Sequence, residues 1–534
     1  MAKFKRYAAL ILALALIFAV FTGCAEQTGE NAETEKTEEE HVEGESLGMD
    51  LPRAYAADDV FSLDSDPDAG YNPIKTKSSK NLLFLPLVYD NVFELDENFN
   101  VSSRIVTEYN TDNGIWWTFD VDTSVRFHDG STLTAYDVAY SIKQAMQSSR
   151  YSPRLSCVWG CSALDEDTFA ITLAYENMQL PSVFTVPVIK DGSAGDDIPP
   201  GTGPFMFSEE LDRLEIFRGN PSAACMPIRT IYLVQCDGVE ESIEAYKNGI
   251  TDAVINDPSS IADVGYGTAN DIWTYPTTSM HYIGFNMSDA FLCYANYRYA
   301  LNFAVDREYI AKNVMGGNAL PAALPISPMS SLYNTAYAEN FGFSLEKCAT
   351  VFYNSNVRDV DDDGKLEYML GGIPIEIDID FVVCSDSSEK LEIARSIAAN
   401  LAGLGVTVTI RELGWNDYVT AIMDGEYDMY YGEIKLTPDF NLRSLLTENG
   451  TMNYGGIEDP NYETKILEYL KASDEERNFY CDMMCKYIAD TAPIVPICFE
   501  KQQLLTHRGV VSGVSPTQYN AFNGFADWEI DLGG

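Results

Sequence analysis

The sequence predicts an α/β protein of two similar lobes with a smaller α+β insertion, and three observations carry that prediction. The hydrophobic period switches twice between strand and helix within residues 373–431. A second stretch, 231–255, repeats the construction with the same turn spacing, and a different, hairpin-like texture fills residues 116–146.

Taken from the N-terminus, Lys3, Lys5 and Arg6 precede an apolar run over residues 8–21, the pattern of a secretion signal. That run is short of the roughly 20 apolar residues a membrane-spanning helix needs, so cleavage is expected. It closes on Val20-Phe21-Thr22-Gly23-Cys24. Small residues before a cysteine resemble the lipobox of bacterial lipoproteins, which implies lipidation of Cys24 and anchoring at the cell membrane, on its extracellular or periplasmic side. Residues 25–50 hold ten acids, one Lys and almost no bulky apolar side chain. Such a segment cannot bury enough surface to offset its ordering entropy, and it reads as an extended acidic tether.

The remaining chain is globular in composition, and its length suits two to four domains. With 81 acidic against 35 basic residues the net charge is −46, and the part beyond the tether still carries about −40. Nucleic acid is an unsuitable partner, because phosphate binding needs clustered Lys and Arg. Eleven cysteines, among them Cys157/Cys161 and Cys481/Cys485 at C-x-x-x-C spacing, are too dispersed for a disulfide framework and are expected as buried thiols. Only four histidines occur and none has ligand spacing with those cysteines, so no zinc site is expected.

In the insertion, residues 116–121 and 125–127 alternate as strands, His128-Asp129-Gly130 supplies a turn, and Thr134 with Asp137 opens a helix buried through Val138, Ile142 and Met146. Downstream, residues 231–235 read as a strand, 239–248 as a helix with Val239, Ile243 and Tyr246 inward, and 252–255 as a returning strand. Near the other end, Ile375, Ile377, Ile379 and Phe381 alternate with acids, and Ser388 caps a helix carrying Leu391, Ala394, Ala398 and Leu401 on one face. Val406, Val408 and Ile410 then form a strand, which calls for a right-handed parallel crossover. A further helix from Asn416 stops at Gly425 before a strand at 428–431. Ala245, Gly249 and Asp252 match Ala421, Gly425 and Asp428 in spacing. Two such open lobes place a ligand crevice between them, at the carboxyl ends of their strands.

Five segments, in order, are then distinctive: LVYDNVFELD (87–96), VRFHDGSTLTAYDVAYSI (125–142), GTGPF (201–205), GFN (284–286) and YRYALNFAVDREYI (297–310). Together they resemble the family-five bacterial extracellular solute-binding proteins. The resemblance implies a periplasmic-binding-protein-like type II fold, two α/β lobes joined by a hinge with a domain inserted in the first, and ligand-driven closure. It also implies delivery to an ABC permease pair driven by separate ATPases. On this reading residues 1–23 are the signal peptide, 24–50 the tether, 51–88 and 199–288 the first lobe, 89–198 the insertion, 289–492 the second lobe and 493–534 a return to the first.

Within this frame a monomer that binds a small molecule, most simply a di- or oligopeptide, is expected, with a nickel or other metal chelate and a peptide-sensing role as alternatives. No enzymatic activity and no cofactor are expected, since no G-x-S-x-G, H-E-x-x-H or G-x-x-x-x-G-K pattern occurs. Peptide-binding members of the family commonly anchor the ligand ammonium on an Asp just past a Gly-Trp pair. Here Glu433 replaces the Trp and Leu436 the Asp. A buried ammonium still needs a carboxylate, which makes Glu433 and Asp439 the candidates. Trp159, Tyr282 and Trp415 are candidate aromatic walls, and Asn286 and Gly203 candidate cleft residues. Arg298 and Asp306-Arg307 read as a solvated or interlobe ion-pair face. Asp359-Val360-Asp361-Asp362-Asp363-Gly364 lacks an acid at the twelfth position of a calcium loop, where Leu370 stands, and reads as a turn.

Overall fold

In the computed structural model, which describes residues 60–258 and 265–533, one eleven-stranded sheet runs through the molecule. Its strands and their flanking elements are, in chain order, β1 (Ser62–Ser65), then four strands of a separate sheet, β2 (Val106–Thr111), β3 (Trp116–Val121), β4 (Val158–Ala163) and β5 (Thr168–Leu173), with α1 (Ala135–Ala145) between β3 and β4. The main sheet resumes with β6 (Phe205–Phe207), β7 (Arg213–Ile216) and β8 (Thr230–Gln235), followed by α2 (Gly238–Lys247), β9 (Ala253–Asn256) and the sixteen-residue β10 (Asn270–Phe285). The second half holds β11 (Ala319–Pro321), β12 (Asp378–Cys384), α3 (Ser388–Ala402), β13 (Thr407–Leu413), α4 (Trp415–Asp424), β14 (Met429–Lys435), α5 (Arg477–Thr491) and β15 (Ile494–His507).

The strand order is β13-β12-β14-β10-β15-β9-β1-β8-β7-β6, with β11 also on β15. Its centre reads the same from either side. β1 lies parallel between β8 and β9, as β12 lies parallel between β13 and β14. The inner strands β9 and β14 then pair antiparallel with β15 and β10, which pair with each other. The shared spacing seen in sequence has a physical basis. Gly249 and Gly425 take φ of +71° and +70°, the left-handed geometry that ends a helix at little cost only for Gly. Asp252 accepts a hydrogen bond from the Ser62 N–H (2.7 Å) and Asp428 one from the Asp380 N–H (2.8 Å). In both lobes the Asp backbone N–H returns the bond to the same partner's carbonyl, at 2.8 and 3.1 Å. Each Asp thus fixes the register of the returning strand on the central one.

β10 and β15 belong to both lobes. Their ladder is regular from Asn270 to Pro276, but Pro276 faces Lys501 while Met280 faces Phe499, so residues 277–279 bulge, and a second shift follows at once, His281 facing Cys498 and Tyr282 facing Pro496. Thr277 and Thr278 are buried there, tied to the Glu500 carbonyl (2.9 Å) and the Gln518 side chain (2.7 Å). Beyond the bulge, β10 and β14 interlock by a reciprocal device. Tyr282 stands opposite Gly432 and Tyr430 opposite Gly284, each ring lying where a Cβ on the facing glycine would intrude, at 2.3 and 2.1 Å.

Three buried clusters follow from this layout. One spans residues 61–89, 189–275 and 504–528, the second residues 92–188 around β2–β5 and α1, the third residues 280–499. α1 starts with the Thr134/Asp137 capping box expected from sequence, and Asp129 and Gly130 (φ +84°) make the expected turn. His128 reaches back from that turn to the Gly203 carbonyl at 3.2 Å. Gly201 and Gly203 lie so close to the 87–88 backbone that a Cβ would come within 2.3 and 2.4 Å of a carbonyl oxygen.

Several expectations are corrected. Residues 125–127 contribute only one isolated bridge, Arg126 to Thr132, because the chain turns before a ladder can form. The alternation over 373–381 divides into an exposed hairpin strand (Ile373–Glu376) and β12. The cap of α3 is Ser387, which accepts from the Lys390 N–H, and Val239 is exposed. Arg298 and Arg307 are not a solvated charged face. Both are buried, 5% and 7% exposed. Arg298 donates to the carbonyls of Leu292, Thr491 and Ala492, and Arg307 to those of Ala322, Pro496 and Phe341. A planar five-donor group can be satisfied by carbonyls alone, and Arg298 sits at the C-terminus of α5, where the helix dipole favours a cation. All ten cysteines among the described residues are unbridged, seven of them buried. Cys24 and the tether lie outside the described residues, among which no helix is long and apolar enough to cross a membrane.

Candidate functional site

A cavity of about 780 Å³ opens between the insertion and the C-terminal loop on one side and the end of β14 with the following segment on the other. Arg150 and Arg154, just beyond α1, and Tyr519 form the first wall. Lys435, the last residue of β14, Asn441 and Arg443 form the second. Gln518, which lines the cavity, is the residue that holds the Thr278 N–H in the bulge of β10, so the cavity floor and the irregular segment are one structure.

The charged groups here are held by aromatic faces. The Arg154 guanidinium lies 5.1 Å from the ring centres of both Tyr151 and Tyr519 and bonds the Thr185 side chain. Arg443 lies 4.2 Å over Tyr175 and pairs with Glu463 at 2.8 Å, while its Nε, also buried, has no partner. Tyr175 is fixed in turn by the Asn441 side chain at 2.7 Å. Stacking of this kind positions a cation without neutralising it. Lys435 has its pKa pushed down to about 8, by desolvation of its ammonium first and then by Arg154 and Arg150.

Glu433 lies two residues before Lys435 on the same face of β14 and binds Lys390 at 2.6 Å. Burial raises its pKa, but Lys390 and His281 outweigh that and hold it below the usual carboxylate value. Glu433, His281 and Glu500 bring ligand atoms within 4.8 Å of one another. His281 is engaged at both nitrogens, with Glu500 at 2.6 Å and the Tyr431 hydroxyl at 2.8 Å. Asp439 is 2% exposed. It accepts from Asn177 at 2.8 Å and from Thr437 and the Asn441 N–H, and burial raises its pKa against those bonds. Its carboxylate therefore joins the insertion to the second lobe.

None of the ligand-binding residues singled out from sequence lines the cavity: Glu433 and Asp439 flank lining residues, and the rest lie apart from it. Trp159 is 79% exposed on β4, and Trp415 is 60% exposed and stacked on Tyr418. Tyr282 is buried over Gly432. Asn286 binds the carbonyls of Gly425 and Tyr427, closing the α4 to β14 turn. Gly203 serves the close backbone approach described above. The Asp359 turn gathers Asp359, Asp361, Asp363 and Glu367 within 4.8 Å, stitched by bonds from the Asp363 and Gly364 N–H groups to Asp359.

Comparison with known proteins decides the family. A model of the bacterial extracellular solute-binding proteins, family 5 (middle region), matches residues 100–452, about two thirds of the chain. The chain belongs to that family. Family members bind solutes for ABC importers and are not enzymes. Among curated relatives, the oligopeptide-binding protein AppA of Bacillus subtilis is 21% identical over 80% of this chain and 80% of its own. Two solved structures share the fold. They are the ABC transporter substrate-binding protein CtaP of Listeria monocytogenes (TM-score 0.67, 20% identity, 89% of this chain and 100% of that one) and a nickel ABC transporter protein of Bacillus halodurans (0.70, 17%, 86% and 98%). The family is extracellular or periplasmic, and the type II binding-protein fold expected from sequence is the one it has.

Proposed function

We propose that this solute-binding protein captures a short peptide in the cavity between its lobes and delivers it to a permease pair driven by separate ATPases. The observation that carries the reading is the junction itself. Two lobes of like construction share only β10 and β15, and the bulge at residues 277–279 lies beside the cavity floor. Rotation about that bulge would open and close the cavity, in the manner of hinge closure. The relatives named for oligopeptides favour the peptide.

Within this proposal Arg150, Arg154, Tyr175, Lys435, Arg443 and Tyr519 contact the ligand. Glu433 remains the candidate for a ligand ammonium, supported by its place beside Lys435, whereas Asp439 already has three internal donors. The division at 88/89, 198/199, 288/289 and 492/493 is part of the reading; the change of buried cluster near residue 90 supports the first boundary, while the other changes fall near 189, 280 and 500, so β10 and β15 pass from one lobe's cluster to the other's within their length. So are lipidation of Cys24, attachment to the membrane by that lipid alone, and a monomeric state. A metal chelate as cargo is the second reading, favoured by the nickel relative.

Mass spectrometry of small molecules released from purified protein tests the ligand class directly. Peptides are expected. Stoichiometric nickel with its chelator would replace the peptide reading by the second one. Small-angle scattering is expected to show compaction on adding the identified ligand, and no compaction would defeat the closure mechanism. For Glu433→Gln, calorimetry is expected to show weaker peptide binding, and an unchanged affinity removes Glu433 from the site.

A further inference from the structure

The ionisable lining of the cavity runs against the composition of the chain. Acids outnumber bases 81 to 35 overall, yet Arg150, Arg154, Lys435 and Arg443 meet a single lining acid, Glu463, and Arg443 takes that one up at 2.8 Å. Arg150, Arg154 and Lys435 have no carboxylate within ion-pair distance among the described residues. They come from opposite walls, the two arginines four residues apart after α1 and the lysine at the end of β14.

Like charges facing one another across a cavity repel, and the stability of the empty form gains nothing from them. A bound anion reverses the sign of every one of these interactions. Arg154 is fixed between Tyr151 and Tyr519, so its fork is oriented before a ligand arrives and little rotamer entropy remains to be lost. One carboxylate would leave this trio largely uncompensated, and a cationic solute would add to the repulsion.

We propose that the cavity is built for a small solute bearing two or more carboxylates, gripped between Arg150 and Arg154 on one wall and Lys435 on the other. Taken with the peptide reading above, on which it rests, the ligand is a short acidic peptide, its excess negative charge on the three cations. The acidic exterior does not draw such a solute in from a distance, so selection is made inside the cleft by short-range charge and geometry.

Calorimetry of the mature, full-length protein with triglutamate, trialanine and trilysine tests this. Triglutamate is expected to bind at least about tenfold more tightly than trialanine, and trilysine to give no heat. Lys435→Met and Arg150→Gln should each weaken triglutamate by about tenfold and trialanine by clearly less, so that the preference for the acidic peptide narrows, with unchanged melting curves showing that the fold is kept. Trialanine or trilysine binding as well as triglutamate overturns the proposal. If none of the three binds, the peptide reading fails, and the charge preference is decided with tricarballylate against its triamide. A preference of about tenfold for the acid keeps the anion site, and equal or absent binding of both overturns it.

Discussion

Lys435 is open to solvent, yet the protein crowded around its ammonium and the cations beside it give it a measurable pH dependence. Its pKa is pushed down to about 8 by that desolvation and by Arg154 and Arg150, against the weaker opposing pull of Glu500 and Asp257. A lysine whose folded pKa lies below its unfolded value detracts from stability while it is charged, below about 8, and that penalty disappears as the pH rises from there toward the unfolded value. Anion binding has the opposite sense, because an anion favours the protonated amine. The affinity for N-acetylated triglutamate, which lacks a titrating amine of its own, is expected to be constant below pH 8. Above that pH it should fall by at most about tenfold per unit. Lys435→Met is expected to flatten the profile, which calorimetry across pH 6.5 to about 9.5 would read.

The same residue-scale view explains what sequence could not reveal about the site. Arg150, Arg154, Lys435 and Arg443 are scattered through nearly 300 positions, and no local pattern distinguishes a cation that faces a cavity from one that faces water. The aromatic guesses failed to mark the cavity for a similar reason. Trp159 and Trp415 are exposed and Tyr282 is core, whereas the rings that hold the cavity cations, Tyr151, Tyr175 and Tyr519, have unremarkable neighbours in sequence. Arg298 and Arg307 read as solvated because their carbonyl partners come from distant segments.

At the scale of elements, turn chemistry was legible and strand order was not. Gly249 and Gly425 announced helix ends, and Asp252 and Asp428 the returning strands. β1 is only four residues, SLDS, with too little alternation to reveal that it inserts between β8 and β9. The glycine and tyrosine pairs on β10 and β14 were likewise silent, since only their register brings them together. Gly432→Ala is expected to destabilise by about 1–3 kcal/mol through overpacking against Tyr282, and Gly284→Ala by a similar amount against Tyr430. Urea unfolding measures both. Gly425→Ala, where the added Cβ meets open space but φ is +70°, should cost only about 1 kcal/mol.

At the scale of the whole molecule, the Asn177 to Asp439 bond connects the insertion to the second lobe at 2.8 Å. Next to it the Met178 N–H meets the Leu470 carbonyl at 2.7 Å, and Tyr469 meets Gln179 at 3.1 Å. These bonds hold the insertion and the second lobe together beside the cavity. Asn177→Ala strips one donor from a buried carboxylate, which costs about 1–3 kcal/mol. Ligand-free protein carrying it should scatter as a more open particle and bind ligand more weakly, while unliganded wild type stays more compact.

The mirrored strand order also governs how the chain can be made. β15 is the fourteen-residue strand joining the two halves, and it is the last strand of the main sheet in chain order. Until it emerges, β9 and β10 each lack the neighbour on one edge, and the lobe that begins with β1 remains open along its middle. A chain ending at residue 490 would keep most of its apolar residues yet present two unpaired edges, an arrangement prone to joining other chains. Among the described residues, a sheet joined at its centre by its last strand keeps its two halves separate until that strand is made.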